Sequence, residues 1–161
     1  MTARALFATM LVAAALVGTS AIHAADNPVA GLFPGHNSRT ATVVVPAGTT
    51  KIGTLNASGE GIFNLQNTSG RAISSLLVAV DAGAPPKPMG YGCSTFSTLL
   101  TTCKADIVGN VVYLLFSGTP DIKTGAEFRL GFAPGTLAGP WPAGATVSVT
   151  LDGQIPAQPS P

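Results

Sequence analysis

The chain has 161 residues, of which 46% are hydrophobic and only 9% are charged, with eight Lys and Arg against seven Asp and Glu. The charges form no basic block, so neither a nucleic-acid-binding stripe nor electrostatic attachment to an anionic membrane is expected. Low net charge with substantial hydrophobicity excludes intrinsic disorder, and weak electrostatic repulsion leaves self-association open.

The first 24 residues have the pattern of a secretory signal peptide. Arg4 precedes an apolar run, and small residues lead to Ala24, after which we expect cleavage. The alternative is an uncleaved anchor, because residues 5–22 are uncharged and reach the lower limit of a membrane-spanning helix. The pattern predicts an exported protein, periplasmic or extracellular and of bacterial origin, with no membrane attachment after cleavage.

The remaining residues, 25–161, fit one domain by length. Residues 25–38 contain two Pro and two Gly, and we expect an irregular lead-in there. Residues 39–153 are predicted to form the domain. Residues 154–161 contain three Pro, which is typical of an extended tail because Pro cannot donate a hydrogen bond to a strand ladder.

A period of two residues dominates the predicted domain, and this period is typical of β-strands. The segments with this period or with an apolar, β-branched run are 40–45, 61–67, 73–80, 110–117, 127–132 and 146–151, with 51–55 as a further short candidate. The pattern predicts an all-β fold, an antiparallel β-sandwich of about seven strands of the Ig-like, Greek-key type. Segment 110–117 is apolar on both faces, which favours a central strand, whereas 127–132 and 146–151 suit outer positions. A helical turn has its best chance within 94–105, although the Thr and Ser there disfavour it.

Cys93 and Cys103 are the two cysteines of the chain. In an exported protein such a pair is expected to form a disulfide. A redox centre usually has Cys-x-x-Cys spacing, and a zinc site needs four ligands, of which the chain after residue 24 offers these two thiols and His36. The disulfide is therefore the favoured interpretation, and it should hold the segment 91–104 against the sheet.

The sequence contains no recognisable catalytic set. His36 is the one histidine beyond the leader and lies in the lead-in, no Gly-x-Ser-x-Gly motif occurs, and Glu60 and Glu127 are isolated from other carboxylates. Four further carboxylates stand alone beside predicted strands, where turn formation explains them better than calcium binding; they are Asp81, Asp106, Asp121 and Asp152. We therefore expect no enzyme activity, no cofactor and no metal.

Three aromatic residues carry the strongest ligand hypothesis. Tyr91, Phe96 and Trp141 lie in Gly-, Ser- or Pro-rich segments, and exposed aromatic side chains of β-sandwich modules stack on sugars. For Trp141, burial in the core is favoured over display to a ligand. Asn56 and Asn67 begin Asn-x-Ser patterns that match the glycosylation motif, but in a bacterial protein these are expected to be plain turns.

These observations predict an exported, non-catalytic protein that acts through its surface, as an envelope, matrix or other interaction component, with a protein or glycan partner. The first alternative is a carbohydrate- or small-ligand-binding module. The second is an enzyme of unrecognised type.

Overall fold

The computed structural model describes residues 28–35, 40–86, 90–133 and 141–158. Within these ranges the chain forms ten strands and no helix. In chain order the strands are β1 (Val29–Pro34), β2 (Thr42–Val45), β3 (Thr49–Thr54), β4 (Gly61–Asn67), β5 (Ile73–Asp81), β6 (Gly92–Thr95), β7 (Thr102–Val108), β8 (Val111–Ile122), β9 (Glu127–Ala133) and β10 (Thr146–Leu151).

The strands make two five-stranded sheets. The first sheet has the order β2-β4-β9-β1-β6, and the second sheet has the order β3-β10-β5-β8-β7. The predicted all-β sandwich is confirmed, but about seven strands was too low a number. Among the described residues, six of the eight strand pairs are antiparallel, whereas β1 pairs with β6, and β2 with β4, in the parallel sense.

Alternation explains why these segments become strands and where the core lies. In β10, Val147, Val149 and Leu151 are buried, while the Thr and Ser residues between them are partly exposed. Both sheets turn such apolar faces toward each other and share one core. Burial of each large aliphatic or aromatic side chain contributes about 1.5–3 kcal/mol, so this shared core is what holds the two sheets face to face.

The segment expected to be an irregular lead-in contributes a strand. β1 lies between β9 and β6, and its Ala30 and Leu32 are fully buried. Its prolines do not disrupt the ladder, since Pro28 precedes the strand and Pro34 ends it. The sandwich therefore includes residues 29–34, which precede the boundary expected at residue 39.

The position of β9 within its sheet also differs from the prediction. It was expected at an outer position but forms the centre of the first sheet, between β4 and β1. The expectation of one solvent-facing side was correct, because Phe128, Leu130 and Phe132 are buried and the residues between them are not. β8, expected to be central, is an interior strand between β5 and β7.

The predicted disulfide joins the two sheets. Cys93 lies in β6 and Cys103 in β7, which are edge strands of different sheets, and their Cα atoms are 5.8 Å apart. Residues 92–95 and 102–108 are extended, so the helical turn considered for 94–105 is not formed. The bond holds β6, a strand of four residues paired only with β1, at the edge of the sandwich.

Removal of this disulfide by the double substitution Cys93→Ser and Cys103→Ser is expected to lower the free energy of unfolding by about 2.8 kcal/mol. The reason is that the bond closes a short loop and so restricts the unfolded chain. Urea denaturation followed by circular dichroism measures the loss. As a control, dithiothreitol should destabilise the wild type and leave the double variant unchanged. An unchanged unfolding midpoint in the double variant would contradict the prediction.

Asn67, at the end of β4, links the two sheets through its buried side chain. Its Nδ2 donates to the carbonyl oxygens of Arg71 and Ile122 at 2.8 and 3.0 Å, and its Oδ1 accepts from the Ser69 backbone N–H and hydroxyl at 3.0 and 2.7 Å. Both donors of the amide are thus used inside the protein. Asn67 is a structural residue, whereas Asn56 is exposed in its turn.

Candidate functional site

The outer face of the first sheet carries a row of two neighbouring glycines. Cross-strand pairing aligns Ile62 of β4 with Gly131 of β9, Gly131 with Gly31 of β1, and Gly31 with Ser94 of β6. Because successive strand residues face opposite sides, and Ala30 and Leu32 face the core, this row faces outward. Two adjacent positions without side chains leave a depression across the middle of the sheet.

A second row, beside the glycines, supplies one wall of this depression. Arg129 of β9 is paired with Phe33 of β1, and its guanidinium carbon lies 5.8 Å from the centre of the Phe33 ring. The ring of Phe96, just after β6, stacks on Phe33 with centroids 5.5 Å apart and planes 16° apart. The wall therefore consists of two nearly parallel aromatic rings, with the guanidinium of Arg129 at one end.

Glycine is required at these two positions because there is no space for a side chain, and not because of the backbone conformation. Neither has a φ in the left-handed region. A Cβ built on Gly131 would lie 3.0 Å from the Phe33 ring, and one built on Gly31 would lie 2.9 Å from the Phe96 ring. The two rings thus rest directly on the backbone of β1 and β9, which fixes their orientation.

The resulting depression has a volume of about 270 Å³, and we call it the apolar groove. Its lining residues are Val29, Gly31, Phe33, Ile62, Phe96, Arg129, Gly131, Phe132 and Ala133. Arg129 is the one ionisable side chain among them. The groove can therefore supply apolar contact area and a positive charge.

The most exposed large apolar side chains of the described residues share this face. Val44, Ile62 and Phe96 have exposed fractions of 56%, 55% and 68%, and pairing places Val44 on the same side of the sheet as Gln66 of β4. The outer face of the second sheet differs, since hydroxyl pairs such as Thr49 with Thr150 and Thr102 with Ser117 lie there. The outer face of the first sheet therefore carries the most exposed apolar side chains, whereas the outer face of the second sheet combines such hydroxyl pairs with Leu77 and Leu115.

Two buried polar atoms on the outer side of the first sheet lack a hydrogen-bond partner in the structure. They are Nε of Arg129 and Oγ of Ser94. Arg129 also forms no ion pair with any residue of the described segments. Since buried polar groups are nearly always hydrogen-bonded, the Arg129 N–H is a donor without an acceptor at the edge of an apolar surface.

The three aromatics predicted to face a ligand do not come together. Phe96 is exposed in the apolar groove, but Trp141 is fully buried and packs edge-on against Phe132 with ring centroids 5.3 Å apart. Tyr91 lies half-buried against Trp141, 4.7 Å between centroids, and burial raises the pKa of its phenol. Trp141 is therefore a core residue, which is the arrangement that the sequence favoured over display to a ligand.

Most residues that line the apolar groove were not predicted as site residues from the sequence. Ile62, Phe33 and Arg129 were assigned only to strands or to the lead-in. The sequence does indicate that Arg129 faces outward, because the alternation in 127–132 places it on the outward face. It gives no such indication for Phe33, since the segment of Phe33 was not expected to be a strand.

A second depression, also of about 270 Å³, lies beside Tyr91 at the edge formed by β6 and β7. Its one carboxylate, Asp106, accepts a hydrogen bond from the backbone N–H of Ile107 at 2.8 Å. This local bond accounts for Asp106 as a structural residue.

Two sequence hypotheses concern residues outside the described ranges, namely the signal peptide at 1–24 and a possible role for His36. Within the described ranges, no three or more His, Cys, Asp or Glu side chains are grouped so that they could hold a metal ion. Over the same part of the chain, no helix has the length and apolar character needed to cross a membrane.

Comparisons with known proteins give no matching family model, no matching curated protein and no matching solved structure. Functional inference for this chain therefore starts from the geometry of the apolar groove.

Proposed function

We propose that this protein is exported and non-catalytic, that it acts by binding through its surface as an envelope, matrix or other interaction component, and that the apolar groove is the binding surface. The observation that carries the proposal is the apolar groove itself, with the exposed side chains of Ile62 and Phe96 at two of its sides. Contiguous apolar patches on soluble proteins mark sites for a ligand or partner.

The energetics of the face support a binding role. Ile62 and Phe96 are 55% and 68% exposed, so each gives up part of the roughly 1.5–3 kcal/mol that full burial would contribute. Phe96 could be excluded from water by an occupant lying over the glycine row. Because both rings already rest on the backbone, binding would cost little side-chain ordering.

Export is supported by two features. The first 24 residues follow the signal-peptide pattern. The disulfide between Cys93 and Cys103 is compatible with an oxidising, exported location.

A non-catalytic role is supported by the composition of the groove. General acid–base catalysis uses side chains such as His, Asp, Glu, Lys, Tyr or Cys, and the lining that the described residues give the groove contains none of these. Sugar binding is less well supported, because a sugar needs several hydrogen-bonding side chains around the aromatic ring and this lining offers the guanidinium.

The uncharged hydrophobic dye Nile red tests the proposal. We expect saturable fluorescence enhancement with the wild-type protein and at least a fivefold weaker affinity when Ile62→Ser and Phe96→Ser are combined, because the substitutions remove apolar walls of the groove. Val44→Ser is the matched control, since it removes a similarly exposed apolar side chain of the same sheet outside the groove. Equal dye affinity in all three proteins, with unchanged circular dichroism, would contradict the proposal.

A further inference from the structure

The apolar groove has one charged end, and its charge is positive. Arg129 is paired with Phe33 across the sheet, and its Nε is buried without a hydrogen-bond acceptor. On the opposite side of the glycine row the lining is apolar, from Val29 and Ala133. A ligand that matches this distribution has an apolar body and a single anionic group at one end.

The guanidinium is suited to a carboxylate in particular. An arginine fork binds a carboxylate through two parallel N–H donors. Its contact with the Phe33 ring, at 5.8 Å, restrains its orientation. A partly buried guanidinium also attracts an anion more strongly than a fully solvated one would, since water screens the charge less.

The shape of the groove favours a flat and small apolar body. The rings of Phe33 and Phe96 are nearly parallel and rest on a floor of Gly31 and Gly131. Aromatic surfaces of this kind stack on another ring. The volume of about 270 Å³ lies just below the roughly 300–1,000 Å³ typical of sites for drug-sized ligands.

The spacing along β9 limits the link between ring and anion. Arg129 and Gly131 are two residues apart on one strand face, which corresponds to about 7 Å. A ring held in the groove beside the glycine row therefore reaches the guanidinium through a short alkyl chain. Ile62 closes the groove at its β4 end.

From these features we infer that the apolar groove binds a small aryl-alkanoate, with the aromatic ring beside Phe33 and Phe96 and the carboxylate on Arg129. This inference rests on the proposed function, because it names the ligand class of the same groove.

The test compares 2-naphthaleneacetate with its uncharged isostere 2-naphthaleneacetamide by isothermal titration calorimetry on the full protein. We expect the acid to bind at least tenfold more tightly than the amide, because a hydrogen bond to a charged group is worth about that factor or more. Arg129→Gln should weaken binding of the acid at least tenfold, so that the preference for the acid over the amide is lost. Lys104→Gln, which removes an exposed cation on β7, is the matched control and should change neither affinity.

A second measurement does not depend on the variant folding. In the wild type, raising the salt concentration should weaken binding of the acid and not of the amide, because ions screen the contact with Arg129. Equal affinity of acid and amide, or an acid affinity that Arg129→Gln leaves unchanged, overturns the inference. If neither naphthyl compound binds while Nile red still binds in a groove-dependent way, the aryl-alkanoate assignment fails and the proposed function stands. If Nile red does not bind the wild-type protein in a groove-dependent way, both the proposed function and the aryl-alkanoate assignment are refuted.

Discussion

Replacement of Trp141 by Ala is expected to lower the free energy of unfolding by about 3–5 kcal/mol, the range for removal of a large aromatic from a core. Trp141 is fully buried and contacts the rings of Phe132 and Tyr91. The turn at Gly59 also closes on it, because a Cβ at Gly59 would lie 1.9 Å from the Trp141 carbonyl oxygen. With the backbone so close, the surroundings have little freedom to collapse into the cavity.

Trp141→Phe is the informative control. It keeps an aromatic ring in the site and removes the indole N–H, whose nitrogen is buried without a hydrogen-bond partner. Its loss should stay below about 2 kcal/mol, since the volume change is modest and an unsatisfied donor disappears with the ring.

Urea denaturation followed by far-UV circular dichroism measures both variants, because Trp141 is the one tryptophan of the chain and its fluorescence is lost on substitution. A loss below about 1 kcal/mol for Trp141→Ala would show that Trp141 does not fill the core as described.

The second large effect is expected for Asn67→Asp, which should cost about 3–5 kcal/mol at neutral pH, as for an uncompensated buried charge. The substitution replaces Nδ2, which donates to the carbonyl oxygens of Arg71 and Ile122, by an oxygen that faces the same two acceptors. The guanidinium of Arg71 does not offset the new charge, because it is exposed and paired with Asp152 at 2.9 Å.

The stability of this variant should depend on pH in a defined direction. Burial raises the pKa of the introduced carboxyl above its value in the unfolded chain. The folded state therefore binds more protons than the unfolded state between those two pKa values, and stability rises as pH falls through that range. A protonated carboxyl can also donate one of the lost hydrogen bonds.

Asn56→Asp is the matched control. Asn56 makes a similar turn, with its Oδ1 accepting from the backbone N–H groups of Ser58 and Glu60 at 2.8 and 2.9 Å, but it is exposed. Its Nδ2 donates to Glu60 Oε2 at 3.2 Å, so the substitution brings two exposed carboxylates together. Because water screens their repulsion, the substitution should cost less than about 1 kcal/mol. Urea denaturation across a pH series compares the two variants, and equal losses at neutral pH would refute the role assigned to Asn67.

The fold class was readable because alternation is local. The segments 61–67, 127–132 and 146–151 alternate apolar and polar residues, and 73–80 is an apolar run. Each of the four lies within a strand of the structure. β6 was missed because Gly92–Thr95 has no large apolar residue. β1 was missed because its glycine and flanking prolines resemble those of a turn.

The residues of the candidate site could be predicted from the sequence only in part. Phe96 was selected as an exposed aromatic, and it is exposed. Trp141 was selected for the same reason and is buried, because the fate of an aromatic in a turn depends on what packs over it. Arg129 could be placed on an outward face, but nothing near it in the sequence indicates Phe33 or Phe96.

By itself, the sequence determined that the protein is built from strands with one apolar face, and that its two cysteines would pair if an oxidising location allowed it. Periodicity and composition are properties of residues that are close in the sequence, so the sequence alone is enough to predict such strands. Only the tertiary structure decided that Gly31 and Gly131, 100 positions apart, lie side by side and that two phenylalanine rings rest on them. Register between distant strands follows from how the whole core packs, and the apolar groove exists only at that level.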